Sequence, residues 1–546
     1  MQIHYSVRVL PLLLAAGAFA ADQIPTHVPA ANPRVTGLAA PNILSPELIE
    51  TPVAQGSMKL ENPADVFKYY GYNDNGPMVP TAPASRVEAR KTEPDKNVYL
   101  ILKNQQGPDP QYGYGTHFLF QGHENSVNGT GATNSYLTRI NLDADGAHRV
   151  TLMGYQDANG AALPNFDGIT WYPFSQRLLL TSEGSLGGGV WQATLGVPAK
   201  IEYLPGLGQG GHEGIQADPQ GRLYIVEDVG GSTVNHGKAP NSYVYRFLPV
   251  DPSDLKKGGK LQALQVTSHS GPSHPIVFDG VILSPDVKDL HTYGLVFNTN
   301  WVTIHDTAVD GFGPFNAILA ARAKSATPFK RPENGQFRPG SNFTEFYFDE
   351  TGDTDNLTPA GSTYGGFGAI FRLDLTGDKG KLSLVYNGDA VHAGFDNCAF
   401  WDADHIVFVE DAGDTLHGQR NGLDSAWLFN LKTDYSGGAQ PIRILAEGRD
   451  ASATLDAVIS GAGFTGAFGN DGDNEITGWH TSDGDPTVNG LLGAKIPKPF
   501  KSGWRTFYTQ QHGDNFTWEI LREDKDEDGN ENGNGNGNGN GNNKKD

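Results

Sequence analysis

From residue 97 onward the chain alternates short apolar runs, rich in β-branched and aromatic residues, with breaks of Gly, Asp, Asn and Pro. The runs fall at 98–102, 117–121, 135–141, 168–172, 177–181, 189–193, 223–227, 242–248, 369–375, 381–386, 398–401, 405–410, 426–430 and 506–510. Runs this short, bounded by turn residues, predict strands. Helical periodicity is scarce, and the best candidate for a helix is 315–323. Three segments, 168–180, 214–225 and 397–408, share a form in which an Asp- or Gly-containing turn joins two apolar runs. A hairpin recurring at irregular intervals is the pattern of propeller blades whose period is blurred by insertions. The expected class is all-β, a β-propeller with irregular insertions. Two β-sandwiches in tandem are the alternative that the same texture allows.

Composition narrows the picture. The 70 Gly and 34 Pro among 546 residues exclude a coiled coil or helical bundle. With 40 Lys+Arg against 62 Asp+Glu the formal charge is −22, which is repelled by a nucleic-acid backbone and by an anionic membrane face. An acidic chain rich in Gly, Asn and Asp instead suits hard cations held by oxygen ligands. Cys398 is the only cysteine, so no intramolecular disulfide can form.

The ends have their own signatures. An apolar run from Val9 to Ala20, closed by Ala18-Phe19-Ala20, reads as a secretory signal peptide, 1–20. It is too short to span a bilayer, and no later segment approaches the required length. The expected location is therefore secreted or periplasmic, free or at the cell surface, and Arg8 standing alone gives no twin-arginine signal. Residues 21–96, rich in Pro, Ala and Asn, read as an extension wrapping the core or as a partly disordered linker; 97–522 is the propeller. The acidic, Gly/Asn-rich tail 523–546 reads as disordered. Its Asp524, Asp526 and Asp528 imitate an EF-hand opening, but Gly535 stands where a bidentate Glu is needed.

The chemistry is suggested by acids at a repeated place, each next to an apolar strand. They occur in Gln121-Gly122-His123-Glu124-Asn125, Ser182-Glu183-Gly184, His212-Glu213-Gly214, Val226-Glu227-Asp228, Arg331-Pro332-Glu333, Phe395-Asp396-Asn397, Val409-Glu410-Asp411 and Asn474-Glu475-Ile476. In a propeller such acids can point from blade ends into one axial pocket. Converging carboxylates repel unless cations sit among them. The set Glu124, Glu183, Glu213, Asp228, Glu333, Asp396, Asn397 and Glu475 is thus the candidate metal-binding group. A single acid of this kind, taken alone, reads as an ordinary turn carboxylate.

These segments, in this order, resemble the calcium- and iron-dependent alkaline phosphatases of the PhoX type. The residues that carry the resemblance are His212-Glu213-Gly214, Glu227-Asp228, Tyr243-Val244-Tyr245-Arg246-Phe247, Arg331-Pro332-Glu333, Asp396-Asn397, Glu475-Ile476-Thr477-Gly478 and Phe507 to Gly513, from about 118 to 514 overall. The resemblance implies a six-bladed β-propeller with the site on its axis, acting on phosphorylated small molecules, and a closed propeller has no need of a partner, so a monomer is expected. By it Glu213 and Glu333 are metal ligands, Asp228 and Asn397 complete calcium sites, and Arg331 holds phosphate oxygens. Arg suits that task because its planar fork pairs bidentately with phosphate. His512 is a candidate to touch substrate or metal, against the alternative of a structural hydrogen-bonding group.

One departure alters the expectation. Where the family carries an iron-ligating cysteine, this chain has Ser182, and a neutral hydroxyl cannot replace a thiolate on Fe³⁺. Cys398 is not a substitute, because if Asn397 faces the axis its strand neighbour faces away. Calcium is expected to be retained and the Fe³⁺ site weakened, altered to another metal, or lost. The leading reading is a phosphomonoesterase; the alternatives are a calcium-stabilised propeller that binds without catalysis, and a phosphodiesterase, phytase-like enzyme or lactonase on a similar scaffold. Ser-His-Asp catalysis finds no support, since Ser182 lacks the glycine pattern of a nucleophile elbow. The Gly206–Gly211 segment precedes a strand, so it is no phosphate loop.

Overall fold

The computed structural model describes residues 24–28, 41–56, 58–64, 67–71, 92–125, 135–184, 187–271, 274–448, 475–511 and 515–523. The signal segment 1–20, His512 and the tail from 524 lie outside the described residues.

The fold is all-β, built from antiparallel four-stranded groups that follow one another along the chain. The first is Thr92–Ile101, His117–Asn125, Leu137–Asn141 and Val150–Gly154; the second is Ile169–Tyr172, Arg177–Ser182, Gly189–Ala193 and Ile201–Tyr203. The third runs His212–Ala217, Leu223–Glu227, Val244–Pro249 and Gly259–Val266. Val296–Asp306 then bridges it edge to edge to the fourth, Gly335–Phe337, Glu345–Glu350, Ala369–Thr376 and Lys379–Asn387. The fifth is Phe395–Phe400, His405–Glu410, Ser425–Asn430 and Ile442–Ala446, extended by Ile43–Leu44. In the last group Glu475–Ser482, Arg505–Gln511 and Phe516–Arg522 are completed by Leu48–Ala54 from the other end of the chain.

The first strands of these groups touch in sequence order, and Glu475–Ser482 returns to Thr92–Ile101, so they enclose an axis as a ring. Their packing explains the near-continuous apolar runs. A strand between two neighbouring sheets is buried on both faces, and alternate side chains enter different cores. Leu178 and Leu180 pack with Phe118 and Leu137 of the first group, whereas Leu179 packs with Ile215 and Leu223 of the third. Comparable interfaces join the third and fourth groups through Val226 and Phe348, the fourth and fifth through Ile370 and Phe408, and the fifth and last through Val407 and Tyr508. Tyr99, Leu119 and Phe507 close the circle.

Two details differ from the sequence pattern. The first strand of the ring begins at Thr92 rather than 98, because Asp95, Lys96 and Asn97 are buried instead of lying in a polar linker. The helix is shorter than 315–323: Ala317–Ala323 is capped by the Asn316 side chain, which accepts from Leu319 N. Among the described residues no helix is long and apolar enough to cross a membrane.

Candidate metal centre

Bulges in the axial strands aim the site acids. In the first sheet Pro94 pairs with His123 and Asn97 with Gln121, so Asp95 and Lys96 oppose Gly122 alone. In the third, Glu213 and Gly214 stand opposite Val226, between the His212–Glu227 and Ile215–Ile225 pairs. In the fifth, Asp396 and Asn397 stand opposite Val409. A two-for-one bulge bends the strand and re-aims a side chain, and here the re-aimed side chain is an acid. Glu333 enters by a similar offset. Asp349 N bonds Asn334 O at 3.2 Å and Thr351 N bonds Arg331 O at 2.9 Å, leaving Pro332 and Glu333 opposite Glu350.

The acids gather in two clusters. Glu183, Glu213, Asp228 and Glu333 bring carboxylate oxygens within 4.8 Å of one another, and so do Asp95, Glu124 and Asp167. The electrostatics of this arrangement are severe. Burial first, then the charges of Asp167 and Glu333, push the Glu213 carboxyl well above the ordinary range. Burial, with Asp95 and Glu124, does the same to Asp167. Glu183 is raised by burial and by Asp228 and Glu333. Glu124 is raised by burial and by Asp95, and Asp396 likewise by burial and Asp95. Glu475 is raised by burial, then by Asp411 and Asp396. Glu333 is pushed up to about 7 by burial and Asp228, with Arg331 opposing.

Such a site without cations must hold protons in place of charge. Several of its oxygens also lack partners: among the described residues Asp167 Oδ1, Glu213 Oε2, Asn397 Oδ1 and Gln511 Oε1 are buried with no hydrogen bond. Buried acceptors left unpaired are costly. The orphaned oxygens and the absence of sulfur or imidazole from the two clusters fit hard, oxygen-seeking cations.

Arg331 stands at the edge of the larger cluster. Its Nε donates to Asp228 Oδ1 at 2.9 Å, its Nη2 to Asp228 Oδ2 at 2.8 Å, and Nη2 lies 3.1 Å from Glu333 Oε1. It does so from a left-handed backbone, φ 61°, a conformation that a non-glycine residue adopts at a cost. The Thr351 hydroxyl sits between Glu333 Oε1 and Phe395 O, tying the fourth sheet to the fifth.

The sequence model of the PhoX alkaline phosphatase family matches residues 199–471, half of the chain. The chain belongs to the PhoX family. A solved structure of Pseudomonas fluorescens PhoX in complex with vanadate, a transition state analogue, is similar over 92% of this chain and 98% of that one, with TM-score 0.53 and 11% identity. At that identity the likeness establishes the fold. Sqt1 from Chaetomium thermophilum is matched over 80% of this chain and 97% of its own at 10% identity, but a TM-score of 0.32 adds nothing to the argument. No curated protein matches.

Glu183, Glu213, Asp228 and Glu333, expected as metal ligands, stand together, with Arg331 beside them. Glu124 falls in the second cluster. Asp396, Asn397 and Glu475 belong to neither cluster of acids but lie at the same axial end. Asn397 Nδ2 donates to Asp396 Oδ1 at 2.9 Å and to Thr477 Oγ1 at 2.9 Å, so the amide oxygen is its free group. The residues overlooked are Asp95 and Asp167. Asp167-Gly168-Ile169 repeats Glu213-Gly214-Ile215, and that repeat is the signal that finds it.

Ser182 and Cys398, weighed above for the expected iron site, have contrasting environments. Ser182 is fully buried, immediately before Glu183, and its hydroxyl has no partner among the described residues. Cys398 is in the apolar interface with Tyr347, Phe400 and Phe408, where burial raises its thiol well above the ordinary range. It is a core thiol and belongs to neither acidic cluster. Glu227, next to Asp228, faces the other way. It accepts from Tyr245 OH at 2.8 Å, and burial raises it to about 8.

Proposed function

We propose that the protein is an exported phosphomonoester hydrolase that works with calcium and has rebuilt or lost the iron site of its family. The observation that carries this reading is Arg331 lying between Asp228 and Glu333 at the edge of a four-carboxylate cluster. We read the ring of sheets as a six-bladed propeller with this site at one end of its axis. Glu183, Glu213, Asp228 and Glu333 would hold one group of cations and Asp95, Glu124 and Asp167 another, with Asn397, Asp396 and Glu475 adjoining. When bound, the cations supply the positive charge that neutralises phosphoryl oxygens and favours attack at phosphorus.

The chain's own residues do the rest. Asp228 holds two nitrogens of Arg331 and fixes the plane of the guanidinium, whose remaining N–H groups are left to bind phosphoryl oxygens. Thr351 and the backbone bonds to Asp349 fix Glu333. The overall change is cleavage of the ester P–O bond by water, giving an alcohol and inorganic phosphate. A second reading, a calcium-stabilised binding protein without turnover, is favoured by Ser182 alone, because its hydroxyl lacks the charge and softness of a thiolate.

The deciding experiment is p-nitrophenyl phosphate hydrolysis at alkaline pH by the purified protein, with elemental analysis of the same sample and a chelator control. Turnover abolished by chelator and restored by calcium, without stoichiometric iron, is the expected result. Bound calcium with no turnover under any added metal would favour the binding protein.

A further inference from the structure

Between Asp228 and Val244–Pro249 of the third sheet the chain makes a two-stranded hairpin, Thr233–Val234 with Gly237–Lys238. Its position is set by the loop that joins Glu345–Glu350 to Ala369–Thr376 in the fourth sheet. Lys238 N donates to Asp353 Oδ1 at 2.8 Å, and His236 Nδ1 lies 2.7 Å from Asp355 Oδ2. Asp353 is in turn held by Lys330 Nζ at 2.9 Å. The hairpin thereby brings the Lys238 stem beside that of Arg331. A methyl group on Gly230 would lie 3.4 Å from Lys238 Cδ and 3.9 Å from Arg331 Cδ, so both side chains converge over that glycine.

The two cations differ in what surrounds them. Arg331 is already matched by Asp228 and Glu333, so that trio carries no surplus positive charge. Lys238 is half-buried, and among the described residues its ammonium has neither an ion pair nor a hydrogen bond. Burial and the neighbouring Arg331 lower its pKa, opposed by Asp228, Glu333 and Asp353 at longer range. A partly desolvated ammonium without a partner, set beside a guanidinium, leaves positive charge free to hold an anion in the space they share.

We infer that Lys238 is a second cationic ligand of the substrate's phosphoryl group, supplying the charge that Arg331 spends on Asp228 and Glu333. This inference rests on the phosphatase reading and adds to it the residue that gives the site its affinity for a dianion. Lys suits the position as a compact point charge on a flexible stem, able to follow the phosphate where Arg331 is locked.

The test uses the calcium-loaded full chain, with inorganic phosphate as the probe, bound directly by calorimetry and as an inhibitor of p-nitrophenyl phosphate hydrolysis. Lys238→Met is expected to weaken phosphate binding and raise KM in parallel by about 10- to 100-fold, as for loss of a charge-assisted hydrogen bond, with kcat changed less. Lys238→Glu should weaken both further. Calcium should remain bound in both variants, and the thermal midpoint of Lys238→Met should stay at the wild-type value. Phosphate affinity within about twofold of wild type in Lys238→Met, or loss of calcium by that variant, overturns the inference. If the calcium-loaded wild type itself neither binds phosphate nor hydrolyses the ester, the phosphatase reading fails first and takes this role with it.

Discussion

Arg331 and Asp228 are joined by two nitrogens rather than one, with Nε 2.9 Å from Oδ1 and Nη2 2.8 Å from Oδ2. That fork fixes the plane of a guanidinium whose backbone is held at φ 61°. Lysine can replace the charge but not the fork. Arg331→Lys is therefore expected to lower kcat/KM by roughly 100-fold or more, about 3 kcal/mol of transition-state binding, while calcium is retained. Steady-state kinetics with metal analysis of the same sample checks this. A variant within a few-fold of wild type would remove Arg331 from the substrate site.

Glu333 Oε1 accepts from Thr351 and pairs with Arg331, and the residue stands in the larger cluster. Glu333→Gln keeps its size but removes a charge from the cation-holding set. We expect turnover to fall about 1000-fold, together with weaker calcium binding, because charge lost at a site of this kind affects metal affinity and rate alike. Near-wild-type hydrolysis by this variant would refute the assignment.

The pH dependence of stability should reveal the cations. Asp95 is raised from 3.8 to about 6, by burial, and Glu333 from 4.5 to about 7, by burial and Asp228. Groups raised on folding stabilise the metal-free protein fully below their unfolded pKa, and this contribution is lost as pH rises through the folded values. The buried histidines act in the opposite sense: burial lowers His480 to about 3, so its contribution is present above 6.5 and lost as pH falls. The difference between calcium-loaded and chelated protein cancels that background. The thermal midpoint gained on adding calcium should thus be small near about pH 5 and grow towards about pH 8. A gain that shrinks over this range would mean that the cations sit elsewhere.

The strands were legible because most are buried on both faces, so Leu178, Leu179 and Leu180 form an unbroken apolar run. The acids of the second and third strand pairs were legible because each follows or precedes such a run. Asp95 was not, because a bulge places two polar residues, Asp95 and Lys96, in mid-strand behind Pro94, and alternation cannot register an extra residue. Leu48–Ala54 was hidden for a different reason: it is an outer strand with several exposed positions, and only its pairing with Phe516–Arg522 shows what it completes. No local pattern encodes a partner so far away in sequence.

Ser182 can be returned to the family's residue with little disturbance, since it is fully buried, unpartnered and next to Glu183. A thiolate there would add a soft, charged ligand beside hard ones, a combination that Fe³⁺ accepts and a serine cannot offer. Ser182→Cys is expected to purify with, or take up, stoichiometric iron and to show visible absorption from thiolate-to-iron charge transfer. Wild type should do neither under the same loading. Equal iron in both proteins would show that the iron site does not depend on position 182.

Gly168 and Gly214 occupy equivalent places, each following an axial acid and each facing the carbonyl of the next axial acid around the ring. A Cβ on Gly214 would lie 2.9 Å from Glu333 O and 2.9 Å from Asn334 Cα, and Gly214 N already bonds Glu333 O at 2.8 Å. On Gly168 it would overlap Glu213 O and the Thr181 hydroxyl that binds it. Backbone cannot yield as a flexible side chain can, so one axial strand must move away from its neighbour and carry its acid with it. Gly214→Ala should therefore cost about 3 kcal/mol, at the upper end for overpacking, and should weaken calcium binding as Glu213 and Glu333 separate. The overlap is closer at Gly168, so Gly168→Ala should cost more and displace Asp167 from Asp95 and Glu124. Denaturant unfolding of chelated protein reads the first effect and calcium titration the second. If Gly214→Ala matched wild type in both, the spacing of the axial strands would not be what sets the distance between these acids.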